Sequence, residues 1–202
     1  MQHVYVEGNA VTPSKVVCVG RNYVAHIKEL GNEVPEEMVL FCKPNSAVTD
    51  TLYYIDAHTR FEGEICLMIR QQRAAAVGFG LDLTRADIQN RLKQKGLPWE
   101  RAKAFDASAV FGEFVPLDVE LSSLSLRLYR NGTIVQQGGV ERMLYKPETI
   151  LREIASFMTL EDGDIVMTGT PEGVGTYARG DRFRGEIFSG ERLLVASEWE
   201  AL

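Results

Sequence analysis

The run Ile65-Cys66-Leu67-Met68-Ile69 constrains the fold most, because it is apolar at every position. A strand wetted on one side alternates, so an unbroken apolar run belongs to a strand covered on both faces, hence to layered structure. Extended upstream at the strand period of two, it puts Glu62, Glu64, Cys66 and Met68 on one face, and Phe61, Ile65, Leu67 and Ile69 on the other. Two carboxylates then point the same way, about 7 Å apart at their Cα atoms. A solvated strand end is the ordinary explanation of such a pair; a cation held between them is the other.

Further strands read at 16–19, 40–42, 74–81, 110–137 and 165–167. Asn131-Gly132 supplies a tight hairpin turn, and 182–199 reads as a closing hairpin around Ser189-Gly190. Helical patterns are short. One runs from Arg21 after a turn at Gly20 and stops at Gly31; residues 31–38 follow as an acidic loop. A second starts at Thr84 with Asp87 three residues on, buries Ile88 and Leu92, and stops at Gly96 and Pro98. Pro147 opens a third over 148–158 with Ile150, Ile154 and Phe157 as its apolar stripe. The 202 residues suffice for one well-buried domain, taken as 1–202.

A net charge of −6 disfavours nucleic acid and anionic membranes as partners. No apolar run reaches bilayer length and the first residues lack a signal-peptide pattern, so a cytoplasmic location is expected. Cys18, Cys42 and Cys66 are odd in number, lack C-x-x-C spacing and lie in apolar runs; they read as reduced core residues.

Glu62, Glu64 and Asp82 offer three carboxylates without imidazole or thiolate, which selects a hard cation such as Mg²⁺, Mn²⁺ or Ca²⁺ over zinc. His26 and Glu29 share a helix face at i, i+3, so the carboxylate would orient the imidazole as a base; a surface contact is the commoner meaning of that spacing. Lys43 is displayed by a turn, and Lys103 sits between two alanines, either partly buried or snorkelling. Three glycines and a proline within 168–175 suggest backbone amides facing an anion.

Gly20-Arg21-Asn22-Tyr23 with His26 and Glu29, Lys43-Pro44, Glu62-x-Glu64, Leu81-Asp82-Leu83-Thr84, Lys95-Gly96-Leu97-Pro98-Trp99 with Lys103, and Thr168 through Gly175 together resemble the fumarylacetoacetate hydrolase family. The similarity is greatest to its acylpyruvase and fumarylpyruvate hydrolase branch, in order from about Val16 onward. The resemblance implies an α+β, predominantly β fold of layered mixed β-sheets with a few short helices, and a homodimer. It implies a divalent metal on Glu62, Glu64 and Asp82, and hydrolysis of a C–C bond in a 1,3-diketo acid. His26 with Glu29 would activate water, and Lys103 would stabilise the enolate. Arg21, Tyr23, Lys43, Gln89 and Thr170 would hold substrate oxygens. Oxaloacetate decarboxylation or tautomerisation, or 2-hydroxy-dienoate isomerisation, are alternatives at the same site; a non-catalytic small-acid binder is another. Ala86 stands where the family often has arginine, with Arg85 one place earlier. One residue on a helix is a turn of about 100°.

Overall fold

The computed structural model describes residues 1–31 and 34–202, so residues 32–33 of the acidic loop lie outside the described residues. The largest sheet runs, in spatial order, Asn9–Val11, Val4–Val6, Ala109–Pro116, Arg73–Asp82, Gly63–Arg70, Ile165–Met167, Lys15–Gly20 and Val39–Pro44, with Val48–Thr49 also paired to Ala109–Pro116. It is mixed: Val4–Val6 and Val48–Thr49 run parallel to Ala109–Pro116, and Ile165–Met167 parallel to Lys15–Gly20. An antiparallel sheet of Thr133–Gly139, Leu124–Arg130, Arg182–Ser189 and Arg192–Glu200 packs against it. A third, small sheet joins Gly175–Thr176, Thr59–Phe61 and Thr84–Arg85. Among the described residues the α-helices are α1 (Val24–Glu29), α2 (Ala86–Gln94), α3 (Glu100–Lys103) and α4 (Pro147–Ala155).

The double-sided burial of 65–69 has a direct cause. On one face Ile65, Leu67, Val77 and Phe79 meet Leu126, Leu128 and Phe183 of the four-stranded sheet. On the other, Cys66 and Met68 pack with Cys18, Phe111, Phe114 and Met167 of their own sheet. Ile150 and Ile154 of α4 close a third cluster over Val17, Val19 and Val166. The hairpin at Asn131-Gly132 forms as its residue types require: both have positive φ, 50° and 81°, which makes the tight turn compatible with strand twist.

Several local expectations are corrected. The chain leaves its strand at Arg21 (φ 55°), not at Gly20, which stays in Lys15–Gly20; α1 starts three residues later. Thr84 is not a helix cap: it pairs with Arg60 in the small sheet, and Arg85 precedes α2 without a side-chain cap. Of the α2 stripe Leu92 is buried and Ile88 only half-buried. Helix α4 ends before Phe157, which is 59% exposed. Cys42 is exposed on the edge strand Val39–Pro44, while Cys18 and Cys66 are buried. No described helix is long and apolar enough to cross a membrane.

Candidate active site

Glu62 falls between two strands rather than within one: Thr59–Phe61 belongs to the small sheet and Gly63–Arg70 to the large one. The hydrophobic register still sets the face. Gly63 pairs with Leu81 and Glu64 with Gly80, so Asp82 lies beside Glu62, whose carbonyl accepts the Asp82 N–H at 2.9 Å. Residue 63 must be small, since a Cβ there would lie 2.9 Å from the Phe79 ring and 3.1 Å from Gln136 Oε1. Carboxylate oxygens of Glu62, Glu64 and Asp82 consequently gather within 4.8 Å of one another, and all three residues are buried.

Two buried lysines answer this charge. The Lys103 ammonium, at the end of α3, donates to Glu62 Oε2 at 2.9 Å, Asp82 Oδ2 at 2.7 Å and Thr84 Oγ at 2.5 Å; the Thr84 hydroxyl donates to Glu62 Oε1 at 3.0 Å. The turn expected to display Lys43 is instead the end of a strand, and Lys43 is fully buried. Its ammonium lies 2.8 Å from Asp82 Oδ1 and donates to the carbonyls of Leu83, Lys103 and Ser108 and to the Ser108 hydroxyl. Glu64 receives only the Gly169 N–H, at 2.6 Å, and no ammonium among the described residues. Burial raises the Glu64 pKa, and the charges of Asp82 and Glu62 raise it further. For Asp82 burial acts upward too, but Lys103 and Lys43 outweigh it and the net shift is downward. With all three ionised, the carboxylates exceed by one the two ammonium groups that pair with them, and the excess falls at Glu64. All-oxygen donors with that deficit fit a hard divalent cation. The buried thiols of Cys18 and Cys66 are pushed upward, first by desolvation, which keeps them unreactive.

The triad and Lys103 line a cavity that His26 and Arg21 reach from the α1 side, and Gln89 and Lys93 from α2. Thr170 completes the wall; its hydroxyl donates to Gly63 O at 2.9 Å and accepts from Gln136 Nε2 at 2.8 Å. His26 is buried, with Nδ1 3.4 Å from Glu29 Oε2. Glu29 also accepts the Gly173 N–H, at 3.0 and 3.2 Å to its two oxygens. The glycine-rich loop thus offers amides to this chain's own carboxylates, Glu64 and Glu29. Tyr23 and Lys43 do not line the cavity. The Tyr23 hydroxyl is buried with no hydrogen-bond partner among the described residues, and desolvation followed by the Glu64 charge raises its pKa. Arg85 turns away: its guanidinium lies 4.6 Å from the Phe105 ring centroid, with Nε 3.6 Å from Asp56.

Neither Thr84 nor Gln136 was expected in the site. Thr84 had a signal, since Asp82 and Thr84 share a face if the chain is extended there. Gln136 had none: its Oε1 accepts from Gly63, between the two glutamates, and its amide nitrogen reaches Thr170 and Pro171, contacts made 73, 34 and 35 residues away.

A mixed-sheet domain with a buried acidic triad, two charge-compensating lysines and a histidine in one cavity has the makings of a metal-assisted enzyme acting on small oxyacids. The family model for the fumarylacetoacetate hydrolase C-terminal region matches residues 15–196. This chain belongs to the fumarylacetoacetate hydrolase family. It is 42% identical to the oxaloacetate tautomerase YcgM of Escherichia coli, over 89% of this chain and 90% of that one. It is 35% identical to a human mitochondrial oxaloacetate tautomerase, over 85% and 86% of the two chains. The crystal structure of fumarylpyruvate hydrolase from Pseudomonas aeruginosa with Mn²⁺ and pyruvate superposes with a TM-score of 0.89 at 30% identity, covering all of this chain and 95% of that one.

Proposed function

We propose that this chain is a divalent-metal-dependent enzyme of 2-oxo acid enolate chemistry, and that its reaction is the keto–enol tautomerisation of oxaloacetate. The observation that carries this is the uncompensated negative charge of the triad in the cavity that also holds His26. A bound Mg²⁺ or Mn²⁺ would polarise the carbonyl of a chelating 2-oxo acid. Glu62, Glu64 and Asp82 would hold it. His26 takes the proton from C3 of the keto form and returns it in the reverse direction. Lys103 supplies positive charge to the developing enolate, and the C2 oxygen takes its proton from solvent while His26 gives the C3 proton up to solvent, so that one C–H bond is exchanged for one O–H bond. Gln89, Thr170 and Arg21 line the cavity and would orient the substrate carboxylate. The names of the relatives at 42% and 35% identity favour tautomerisation over the C–C hydrolysis that the sequence motifs put first.

Hydrolysis of an acylpyruvate is the second reading, supported by the fumarylpyruvate hydrolase likeness and by Glu29 beside His26. There His26 would draw a proton from water attacking the distal carbonyl. The test is a pair of assays with Mg²⁺ or Mn²⁺, with and without chelator. One follows decay of the oxaloacetate enol band and the other acetylpyruvate or fumarylpyruvate cleavage. Chelator-sensitive tautomerisation with little cleavage supports the first reading, and the converse supports the second. His26→Ala should lose turnover while keeping metal affinity within a few-fold; full turnover in that variant removes His26 as the base.

A further inference from the structure

Gly63 stands between two of the three carboxylate residues, and its peptide groups are held from outside its own sheet. Because the Asp82 N–H bonds to the Glu62 carbonyl, Gly63 and Leu81 form a pair that exchanges no backbone bonds, so the N–H and C=O of Gly63 turn away from that strand. On the other side the ladder with Ile165–Met167 ends at Cys66, and the Ile65 carbonyl already takes its N–H from Thr168, past the strand end. Side chains stand in for the missing strand. The Gly63 N–H donates to Gln136 Oε1 at 2.8 Å, and the Gly63 carbonyl accepts from the Thr170 hydroxyl at 2.9 Å. Gln136 Nε2 closes the ring by donating to the Thr170 oxygen at 2.8 Å, and it also donates to the Pro171 carbonyl at 2.8 Å. The amide fits one way round only: turned over, it would set a donor against the Gly63 N–H and an acceptor against the Pro171 carbonyl. Gln136 itself is buried, and it comes from Thr133–Gly139 of the four-stranded sheet.

Both ends of that amide lead to Glu64, the carboxylate that no ammonium reaches among the described residues. Its oxygen leads there along the chain, because Gly63 precedes Glu64. Its nitrogen leads there through the loop, because Thr170 and Pro171 follow Gly169, whose N–H donates to Glu64 Oε2 at 2.6 Å. We infer that Gln136 is a positioning residue of the acidic site: acting through Gly63 and the 169–171 loop rather than as a ligand, it holds Glu64 in place relative to Glu62 and Asp82 and thereby sets the affinity for a divalent cation. This rests on the proposed reading of the triad as a metal site, and adds to it a residue of the opposite sheet.

The probe is Mn²⁺, titrated into the full chain and followed by loss of the free-ion EPR signal, in wild type, Gln136→Met and Gln137→Met. Gln137 is exposed on the same strand and controls for the substitution itself. Loss of an outer partner of a metal ligand weakens binding about 10–100-fold, so Gln136→Met should raise the Mn²⁺ dissociation constant about 10-fold or more and Gln137→Met less than about 2-fold. Titrations are run well below the Tm of each variant, with circular dichroism showing the chain folded. A role confined to holding the fold together lowers Tm and leaves the dissociation constant unchanged, and that result overturns the assignment. If Gln136→Met does not fold, Gln136→Asn, whose amide is one methylene too short for Gly63 and Pro171, is held to the same expectation and the same refutation. A double variant with Thr170→Val tests the ring: through one shared ring it should bind Mn²⁺ within about 3-fold of the weaker single variant, whereas fold-changes that multiply overturn the shared action. Failure of the functional proposal looks different, because then wild type itself does not bind Mn²⁺.

Discussion

Lys43 is the residue whose place in the structure departs furthest from its expected one, and Lys43→Met tests that place. Methionine keeps most of the side chain's length and apolar stem, so packing changes little and the ammonium is what is removed. The carbonyls it serves are not orphaned: Lys103 O also accepts from the Ser108 hydroxyl at 2.8 Å, and Ser108 O from the Leu83 N–H at 2.9 Å. The cost therefore falls mainly on Asp82, left with Lys103 alone against Glu62 and Glu64. Breaking a buried ion pair costs about 3–5 kcal/mol, and the retained carbonyl partners argue for the low end, about 3 kcal/mol. For a domain of this size that is a fall in Tm of about 6–12 °C, read by circular dichroism in chelator. Adding Mn²⁺ should restore part of the loss, because the cation supplies the charge that Asp82 lacks, so the metal-induced rise in Tm should be larger in the variant than in wild type. A Tm within 2 °C of wild type together with a raised KM would refute the argument and return Lys43 to the role of a substrate contact.

Two further outcomes follow from individual contacts. Asp164 accepts from the Ser14 and Lys15 N–H groups, the Ser14 hydroxyl, the Glu161 N–H and the Lys15 ammonium; burial acts to raise its pKa, but these bonds win and lower it. Its stabilisation is therefore complete above the unfolded carboxylate value, about 3.9, and is lost as pH falls through the lower folded value. In urea titrations the stability gap between wild type and Asp164→Asn should be constant above about pH 5 and shrink below pH 4; a gap independent of pH would be inconsistent with this. Gly173 has φ 98°, and a Cβ there would overlap the Val135 carbonyl oxygen, whereas Gly190 has φ 57° and open space around its Cβ position. Gly173→Ala should cost about 3 kcal/mol and Gly190→Ala about 1 kcal/mol, and equal midpoints in denaturant would show that the overlap is relieved cheaply.

Where the sequence was legible, the information was local or periodic. Asn131-Gly132 specifies its turn by backbone preference alone, and the unbroken apolar run 65–69 announces cover on both faces. Failures cluster where one residue serves two sheets. The strand expected through Glu62 breaks there, because the chain passes from the small sheet to the large one, and no periodicity registers a change of partner. Thr84 carries a good helix-start pattern, yet its backbone is claimed by Arg60 and its hydroxyl by Glu62 and Lys103. A cap contributes about 1 kcal/mol, which a strand pairing and two buried hydrogen bonds to charged groups exceed.

The convergence of Glu62, Glu64 and Asp82 was nevertheless legible in the sequence, and the reason is physical. Convergence of Glu62, Glu64 and Asp82 does not require one continuous strand. It requires Gly63 opposite Leu81, and that register follows from burying Ile65, Leu67, Val77 and Phe79 against the four-stranded sheet. A slip of one residue would turn these four side chains away from that sheet, at about 1.5–3 kcal/mol for each large one. The apolar core thus holds together like charges that would otherwise separate, while Lys103 and Lys43 reduce the repulsion without abolishing it. On the proposed reading, the missing partner at Glu64 would be what a cation supplies, and the core would set how firmly the three carboxylates are held for it.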